Sequence, residues 1–533
     1  LASVEGASGA GEKVALVALA LLVAVAVLLR TTQASARLKA LTLLGCVVFT
    51  PVLLAIDVWN TSQMRHVRNH AALAVVAVIL AVAIVAALAA LFRRWAWAFP
   101  LAVVFTLPFR VPITSGGSTA NLLVPLYAVV AAGVIAHCIG LLRGASEAGE
   151  SETVLPRLAS PRTLEWLLMA SVVLYAIQAP YSEGFSKALQ NTLFFYVPFA
   201  LMLALLREVR WTRELLLRCV ALTVALAGVF VAIGLVEYAR KSLLLNSSLV
   251  ASNVYGNYFR VNSVFYDPNI YGRYLALTML LLACISLWTQ RRRAALICAA
   301  ALAWLWVGLL TSISQTSMVA LLVGLAVLGG WRFGVRRAAY AAIALALVGL
   351  VVLLAAPSSL HFGLKGKGGS VNNATSGRAN LVRGGIDLFA DRPLAGFGSG
   401  SFADQYQAHQ ATSVASSTSA SHTIPITVAA EQGSVGLILY IALVICCFGV
   451  LFYRVGRAPP RIAIAACFTA LLVHTMAYAD FLEDPITWAL LGIGMALAVV
   501  PAGRDGEAPA AGEQSHVDVL DHLGRPPVSC STT

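Results

Sequence analysis

Fifteen apolar runs, bounded by arginines, prolines or short polar turns, dictate what this 533-residue chain can fold into. They cover 14–29, 38–58, 71–92, 95–109, 122–142, 164–179, 192–206 and 215–238. The later ones are 274–289, 294–310, 316–331, 338–356, 434–452, 461–479 and 486–500. A helix needs about 20 apolar residues, with a range of roughly 17–25, to cross the hydrocarbon core. Hydrophobic residues make up 59% of the chain and charged residues 11%, against roughly 45–50% and about 25% in a globular protein. That leaves too little polar surface for soluble domains. A soluble enzyme, a disordered chain and a secreted disulfide scaffold are excluded; eight of the nine cysteines lie inside the apolar runs. The expected fold is all-α: a polytopic transmembrane helix bundle of about 12–15 spans, with a large, partly helical extracytoplasmic loop. The first run follows a polar stretch with no basic leader region, so it reads as a span rather than a cleaved signal.

The net charge of +13 arises from 37 basic and 24 acidic residues. Nucleic-acid binding requires a contiguous basic face, whereas these cations lie in twos and threes between apolar runs, so no nucleic-acid partner is expected. Alternate connections hold Arg30, Arg37 and Lys39; Arg93 and Arg94; Arg143, Arg157 and Arg162; Arg207, Arg210 and Arg213. The series continues with Arg291–Arg293, then Arg332, Arg336 and Arg337, then Arg454, Arg457 and Arg461, which brings it to 20 cations in seven connections. The positive-inside rule makes this set cytoplasmic. The tail 501–533, rich in Ala, Gly, Pro and acid, reads as disordered and cytoplasmic; with fifteen spans the N-terminus lies outside. Chemistry is then left to two long outer loops, 239–273 and 357–433.

The first loop ends in RVNSVFYDPNIYGRYLA. Asp267-Pro268-Asn269 is a turn signal, with Asp267 a candidate N-cap and Pro268 at the first helical position. Arg260 and Arg273 then fall near the outer membrane surface among aromatic residues, a pattern that also fits plain interfacial anchoring. In the second loop, Arg378 opens a stretch with Leu381, Ile386 and Phe389 near helical spacing, ended by Pro393, which reads as an amphipathic helix lying on the membrane. Gly396, Gly398 and Gly400 form a string that either cradles phosphate through backbone N–H groups or is a flexible turn. His422 and Glu431 sit where this loop re-enters the membrane, and an imidazole there suits base catalysis near neutral pH. His474, Asp480, Glu483 and Asp484 line the last outer turn, either as oxygen ligands for a divalent cation or, the preferred reading, as a capped, solvated turn. The polar run Thr311–Ser317 reads as an outer break between two helices.

Several of these pieces occur together in one family. RVNSVFYDPNIYGRYLA resembles the arginine-bearing segment that precedes a span in O-antigen ligases and related polysaccharide polymerases. SGR…DRPLAGFGSGSF, then His422, then EQGSVGLILY resembles that family's large periplasmic loop, and LLTSISQTSMVALLVG resembles its Thr-x-Ser-Arg helix junction. Two positions depart from the pattern: Gln315 stands where the junction has Arg, and His422 is followed by Thr423 rather than Asn. The resemblance implies a twelve-span core over 95–500, preceded by additional N-terminal helices over 1–94.

It also implies a function: transfer of a glycan from a polyprenyl (undecaprenyl) diphosphate to an acceptor hydroxyl, on the extracytoplasmic face of the bacterial cytoplasmic membrane. The partners implied are the polyprenyl-diphosphate-linked glycan, an acceptor glycan or lipid, and membrane lipids, with no cofactor and no metal. Arg260, Arg378 and Arg273 are expected to bind the diphosphate, since guanidinium pairs bidentately with phosphate. His422 is expected to act as general base, with Glu431 orienting or replacing it. The alternative is a transporter or flippase of an anionic or lipid-linked substrate, which would place ionisable groups deep in its spans.

Overall fold

A computed structural model of the chain describes residues 2–57, 69–115, 118–144, 157–244, 259–337, 340, 378–410, 423–456, 458–478 and 480–499. The helices are α1 (Ala2–Leu29), α2 (Ala36–Asp57), α3 (Ala71–Arg94), α4 (Ala98–Thr106), α5 (Val124–Leu142) and α6 (Pro161–Gln178). Next come α7 (Phe185–Asn191), a π-helical turn (Thr192–Tyr196), α8 (Val197–Glu208), α9 (Arg213–Arg240), α10 (Pro268–Trp288), α11 (Arg292–Ser312) and α12 (Gln315–Phe333). The outer segment carries α13 (Arg378–Asp391) and α14 (Phe402–Gln410), and the chain returns through α15 (Ile424–Phe452), α16 (Pro459–Thr475) and α17 (Pro485–Val499).

Counting α7–α8 as one rod, eleven of the described helices are long and apolar enough to cross a membrane, and α16 and α17 are shorter apolar helices. The protein is a polytopic helical membrane bundle. Of the fifteen runs, 338–356 lies outside the described residues except for Tyr340, and 95–109 does not form a full span. It holds only the nine-residue α4, about 14 Å of rise, because Pro108 cannot continue a helix. The chain then forms a two-stranded antiparallel hairpin, Val111–Ser115 against Ser118–Leu122, with Val111 opposite Leu122. The all-α expectation holds for the bundle, and the hairpin is a short connection within it; Val111, Ile113 and Thr114 favour extended backbone.

The first three helices pack into the same body as the rest: α1 against α2, α6 and α8, and α3 against α5. An ion cluster pins α1 there. Arg30 Nη2 donates to Glu165 Oε1 at 2.6 Å, Arg30 also pairs with Glu208, and Arg207 pairs with the same Glu165 oxygen. At that end Arg218 lies over the Trp97 ring, Arg332 Nε donates to Leu287 O, and Trp331 Nε1 donates to Gly456 O. The arginine-rich connections therefore meet one another at one end of the bundle, here called the inner end. The motif-bearing segments gather at the other.

Candidate active site

Asp267 caps α10 as expected: its Oδ1 accepts from Asn269 N at 2.6 Å, with Pro268 in the first turn. The polar run 311–317 is also the expected break. Helix α11 stops at Ser312, Ile313 is left-handed at φ 50°, and Ser314 caps α12. Asn269 joins the two features, its Oδ1 accepting from Ser314 Oγ at 2.9 Å and its carbonyl from Ser317 Oγ at 3.3 Å. Arg260 closes over the junction, with Nε donating to Ser312 O at 3.2 Å and Nη2 to Asn269 Oδ1 at 3.4 Å. Gln315 is exposed on the first turn of α12.

Arg273 lies one helical turn below Asn269, and i,i+4 spacing puts the two on one face of α10. It is not the snorkelling interfacial residue of the anchoring reading, since only 1% of it is exposed. Its Nη2 pairs with Asp484 Oδ2 at 3.0 Å, and the guanidinium lies 5.9 Å from the Tyr478 ring centre. Arg273 Nε and Nη1 meet no acceptor among the described residues. Burial raises the Asp484 carboxyl above the usual carboxylate range, opposed first by Arg273 and also by Arg110. Guanidinium donors left open among the described residues are of the kind that pairs with an anion.

The turn bearing Asp480, Glu483 and Asp484 is capped, since Ile486 N donates to Asp484 Oδ1 at 3.0 Å, and it is only partly solvated, with Asp480 and Glu483 half-buried. Asp484 and His474 are buried. Among the described residues no group of three His, Cys, Asp or Glu side chains is placed to hold a metal ion. The turn instead separates two compartments: Asp484 faces Arg273, while Glu483 takes a 2.7 Å bond from Asn191 Nδ2 in a cleft lined also by Tyr175, Lys187, Glu431 and Tyr440. Burial pushes the Glu483 carboxyl up to about 7; Lys187 opposes the shift, and Asp480 and Glu431 add to it.

Glu431 is buried at the outer end of α15, and backbone groups occupy both its oxygens. Gly400 N donates to Oε2 at 2.9 Å and Phe402 N to Oε1 at 3.2 Å, at the start of α14. The glycine string is thus neither a phosphate cradle nor a flexible turn. Gly396, Gly398 and Gly400 hold φ of 68°, 97° and 80°, and Gly398 N donates to Glu431 O at 2.8 Å. Opposite them Gly433 sits at φ 65° inside α15, where a Cβ would collide with the Leu394 carbonyl. Helix α13 also differs from its expected placement. Leu381 and Leu388 are buried while Ile386 is half exposed, and the helix packs on α15 and α14. The buried stripe runs through 381, 385 and 388, where Gly385 meets Ile426 and Phe402.

The structure therefore brings Arg260 and Arg273 to one face of α10 and seats Glu431 across the outer turn. Arg378 begins α13, but its side chain lies outside the described part, as does the whole of His422. Thr423, the residue after His422, donates from Oγ1 to Met476 O at 3.2 Å. Sequence reasoning missed Arg110, Tyr175, Lys187 and Asn191. The signal for Asn191 was present as Gln190-Asn191-Thr192, a polar triplet in an apolar rod, which is expensive in a membrane unless it has work to do. The π-helical turn begins there, a distortion frequent at functional sites.

From Tyr274 an apolar slot descends between α4, α9, α10, α16 and α17 to Thr289 and Pro459, with a volume of about 550 Å³. Fifteen residues of α10 rise about 22 Å along it. The slot exists because α4 is too short to fill the layer beside α9 and α10. Among the described residues lining it, Arg213 at the inner end is the one with a charge.

Fold and geometry together define a polytopic helical membrane protein with a buried arginine, Arg273, at the head of an apolar slot. Residues 300–441, from within α11 to within α15, match the family model described as O-antigen ligase, which supports assigning the chain to the O-antigen ligase family of membrane glycan ligases and polymerases. No curated protein matches the chain.

Proposed function

We propose that the protein transfers a glycan from a polyprenyl diphosphate to an acceptor hydroxyl at the outer face of the cytoplasmic membrane, as a ligase or a polymerase. The observation that carries this reading is Arg273, a buried guanidinium with donors unmet among the described residues, next in sequence to the tyrosine at the head of an apolar slot. A lipid diphosphate has that same combination of a dianionic head and a long apolar tail. In the reaction the bond from the sugar anomeric carbon to the diphosphate oxygen breaks, and a bond to the acceptor oxygen forms. The acceptor proton passes to His422, and the diphosphate leaves with its charge held by Arg273 and Arg260, joined by Arg378. Glu431 supports this indirectly by fixing the glycine loop, because its oxygens already serve Gly400 and Phe402. Transport would need ionisable groups along the path, whereas the slot is apolar from Tyr274 down to Arg213.

Reconstitution with purified polyprenyl-diphosphate glycan and a panel of acceptors tests the reading. Product is expected from the wild type, with or without EDTA. His422→Ala should lower turnover more than donor binding, and Arg260→Ala and Arg378→Ala should weaken donor use. Movement of donor across the bilayer without product would replace transfer by transport.

A further inference from the structure

The cleft on the far side of the outer turn from Arg273 has no part in holding a diphosphate. It encloses about 110 Å³ between α6, the π-helical turn, α15 and the turn bearing Glu483. Its lining is polar, but its hydrogen bonds are incomplete. Asn191, 3% exposed, spends its amide N–H groups on Tyr175 Oη at 3.0 Å and on Glu483 Oε1 at 2.7 Å. Its Oδ1 accepts nothing among the described residues, and the buried Tyr440 hydroxyl likewise has no partner. A buried polar atom left unpaired costs its full desolvation, so both point to a hydroxylated ligand that completes them. Tyr175 and Tyr196, packed edge to face at 4.8 Å, give the same cleft aromatic surface.

Charge narrows the ligand further. Among the described residues lining the cleft, Glu431, Asp480 and Glu483 face one cation, Lys187. Burial among these acids holds the Glu483 carboxyl up near neutrality, so the site resists one more negative charge. A divalent cation fits poorly, because both Glu431 oxygens are already taken by backbone N–H groups.

We propose that this cleft is a subsite for one uncharged or amine-bearing sugar ring, with Asn191 Oδ1, Tyr440 Oη and Glu483 reading its hydroxyls. The assignment rests on the glycan-transfer reading and adds to it a selection against uronic acids and sugar phosphates. The ring can come from the donor glycan or from the acceptor; the chemistry that recognises it is the same.

Saturation-transfer NMR on the full chain in detergent tests this, using methyl glycosides of glucose, N-acetylglucosamine, glucosamine and glucuronic acid as probes. The first three are expected to bind and the glucuronide to bind at least tenfold more weakly. Asn191→Leu should lower binding at least tenfold. Tyr440→Phe removes only an unpartnered hydroxyl, so it should fold normally and lower binding about fivefold. Silence from every glycoside, equal binding of the glucuronide, or wild-type binding in both variants would overturn the subsite. The same samples are titrated with undecaprenyl diphosphate, whose binding should depend on Arg273 and not on Asn191. Glycoside silence with diphosphate binding intact removes the subsite alone. Diphosphate binding indifferent to Arg273→Ala strikes the transfer reading instead. Displacement of the glycoside by the loaded donor assigns the ring to the donor and simultaneous binding to the acceptor; both uphold the subsite.

Discussion

The two ends of the bundle each bury arginine against carboxylate, and the difference between them separates structure from chemistry. At the inner end Arg30 and Arg207 share Glu165, with Glu208 as a further member, so guanidinium groups there are matched by carboxylates. In the outer half Arg273 has Asp484 as its ion-pair partner and keeps Nε and Nη1 open among the described residues, with Arg110 close by. Matched charges hold helices together. An excess of oriented donors is what the proposed diphosphate site needs. Loss of an inner charge should therefore be felt as instability, and loss of the outer arginine as lost turnover.

The largest expected effect is at Glu165, which is fully buried between two guanidinium groups. Glu165→Ala takes the shared carboxylate from Arg207 and leaves Arg30 with Glu208, and breaking a buried pair in this way costs about 3–5 kcal/mol. Thermal unfolding in detergent should show that loss, while turnover per folded molecule stays near wild type. A stable Glu165→Ala protein with impaired transfer would invert the comparison.

Arg273→Ala comes next. Its expected cost is a roughly 10²–10³-fold drop in transfer, by analogy with loss of one oxyanion donor. Asp484 retains the Ile486 N–H and the field of Arg110, so the protein should still fold. Arg273→Lys should restore little, because an ammonium cannot make the paired contacts of a guanidinium. Initial rates at saturating acceptor, normalised to folded protein, check both variants.

A smaller effect is expected at Gly433→Ala, which places a Cβ at φ 65° against the Leu394 carbonyl. Strain of this kind costs about 1–3 kcal/mol. It should loosen the 393–400 segment, read as faster proteolysis there with the bundle intact.

Most of the bundle was legible in the sequence because a membrane leaves a chain few options: apolar runs of span length must be helices, and arginine placement marks their ends. Asp267, Pro268 and the Ser-rich break were legible for a local reason, since caps and turns are set by neighbours in the chain. Arg273 was visible as a candidate but misplaced at the membrane surface, because its burial depends on Asp484, which lies 211 positions further along. The cleft was not legible at all. Tyr175, Asn191, Glu431 and Glu483 come from four separate segments, and only packing brings them together. The same holds for α13, whose buried face was misjudged because α15, and not lipid, covers it.

The smallest expected effect concerns the acidic side of the comparison. The Glu483 carboxyl is raised to about 7, chiefly by burial, with Asp480 and Glu431 adding to the shift and Lys187 opposing it. In the unfolded chain the same group titrates near its ordinary value of about 4.3. A group whose folded pKa is raised contributes stability that is fully present below the unfolded value and is lost as pH rises through the folded one. Wild-type protein should therefore lose stability between about pH 4.5 and pH 7 that Glu483→Gln does not lose, since the amide carries no proton to titrate. The difference between the two melting temperatures, followed from pH 5 to 8, isolates this contribution from every other titrating group. Parallel curves would show that Glu483 is ordinary in its ionisation. The acidic cleft would then differ from the arginine site in the sign of its charge alone, and not in how far it holds a carboxyl from its ionised form.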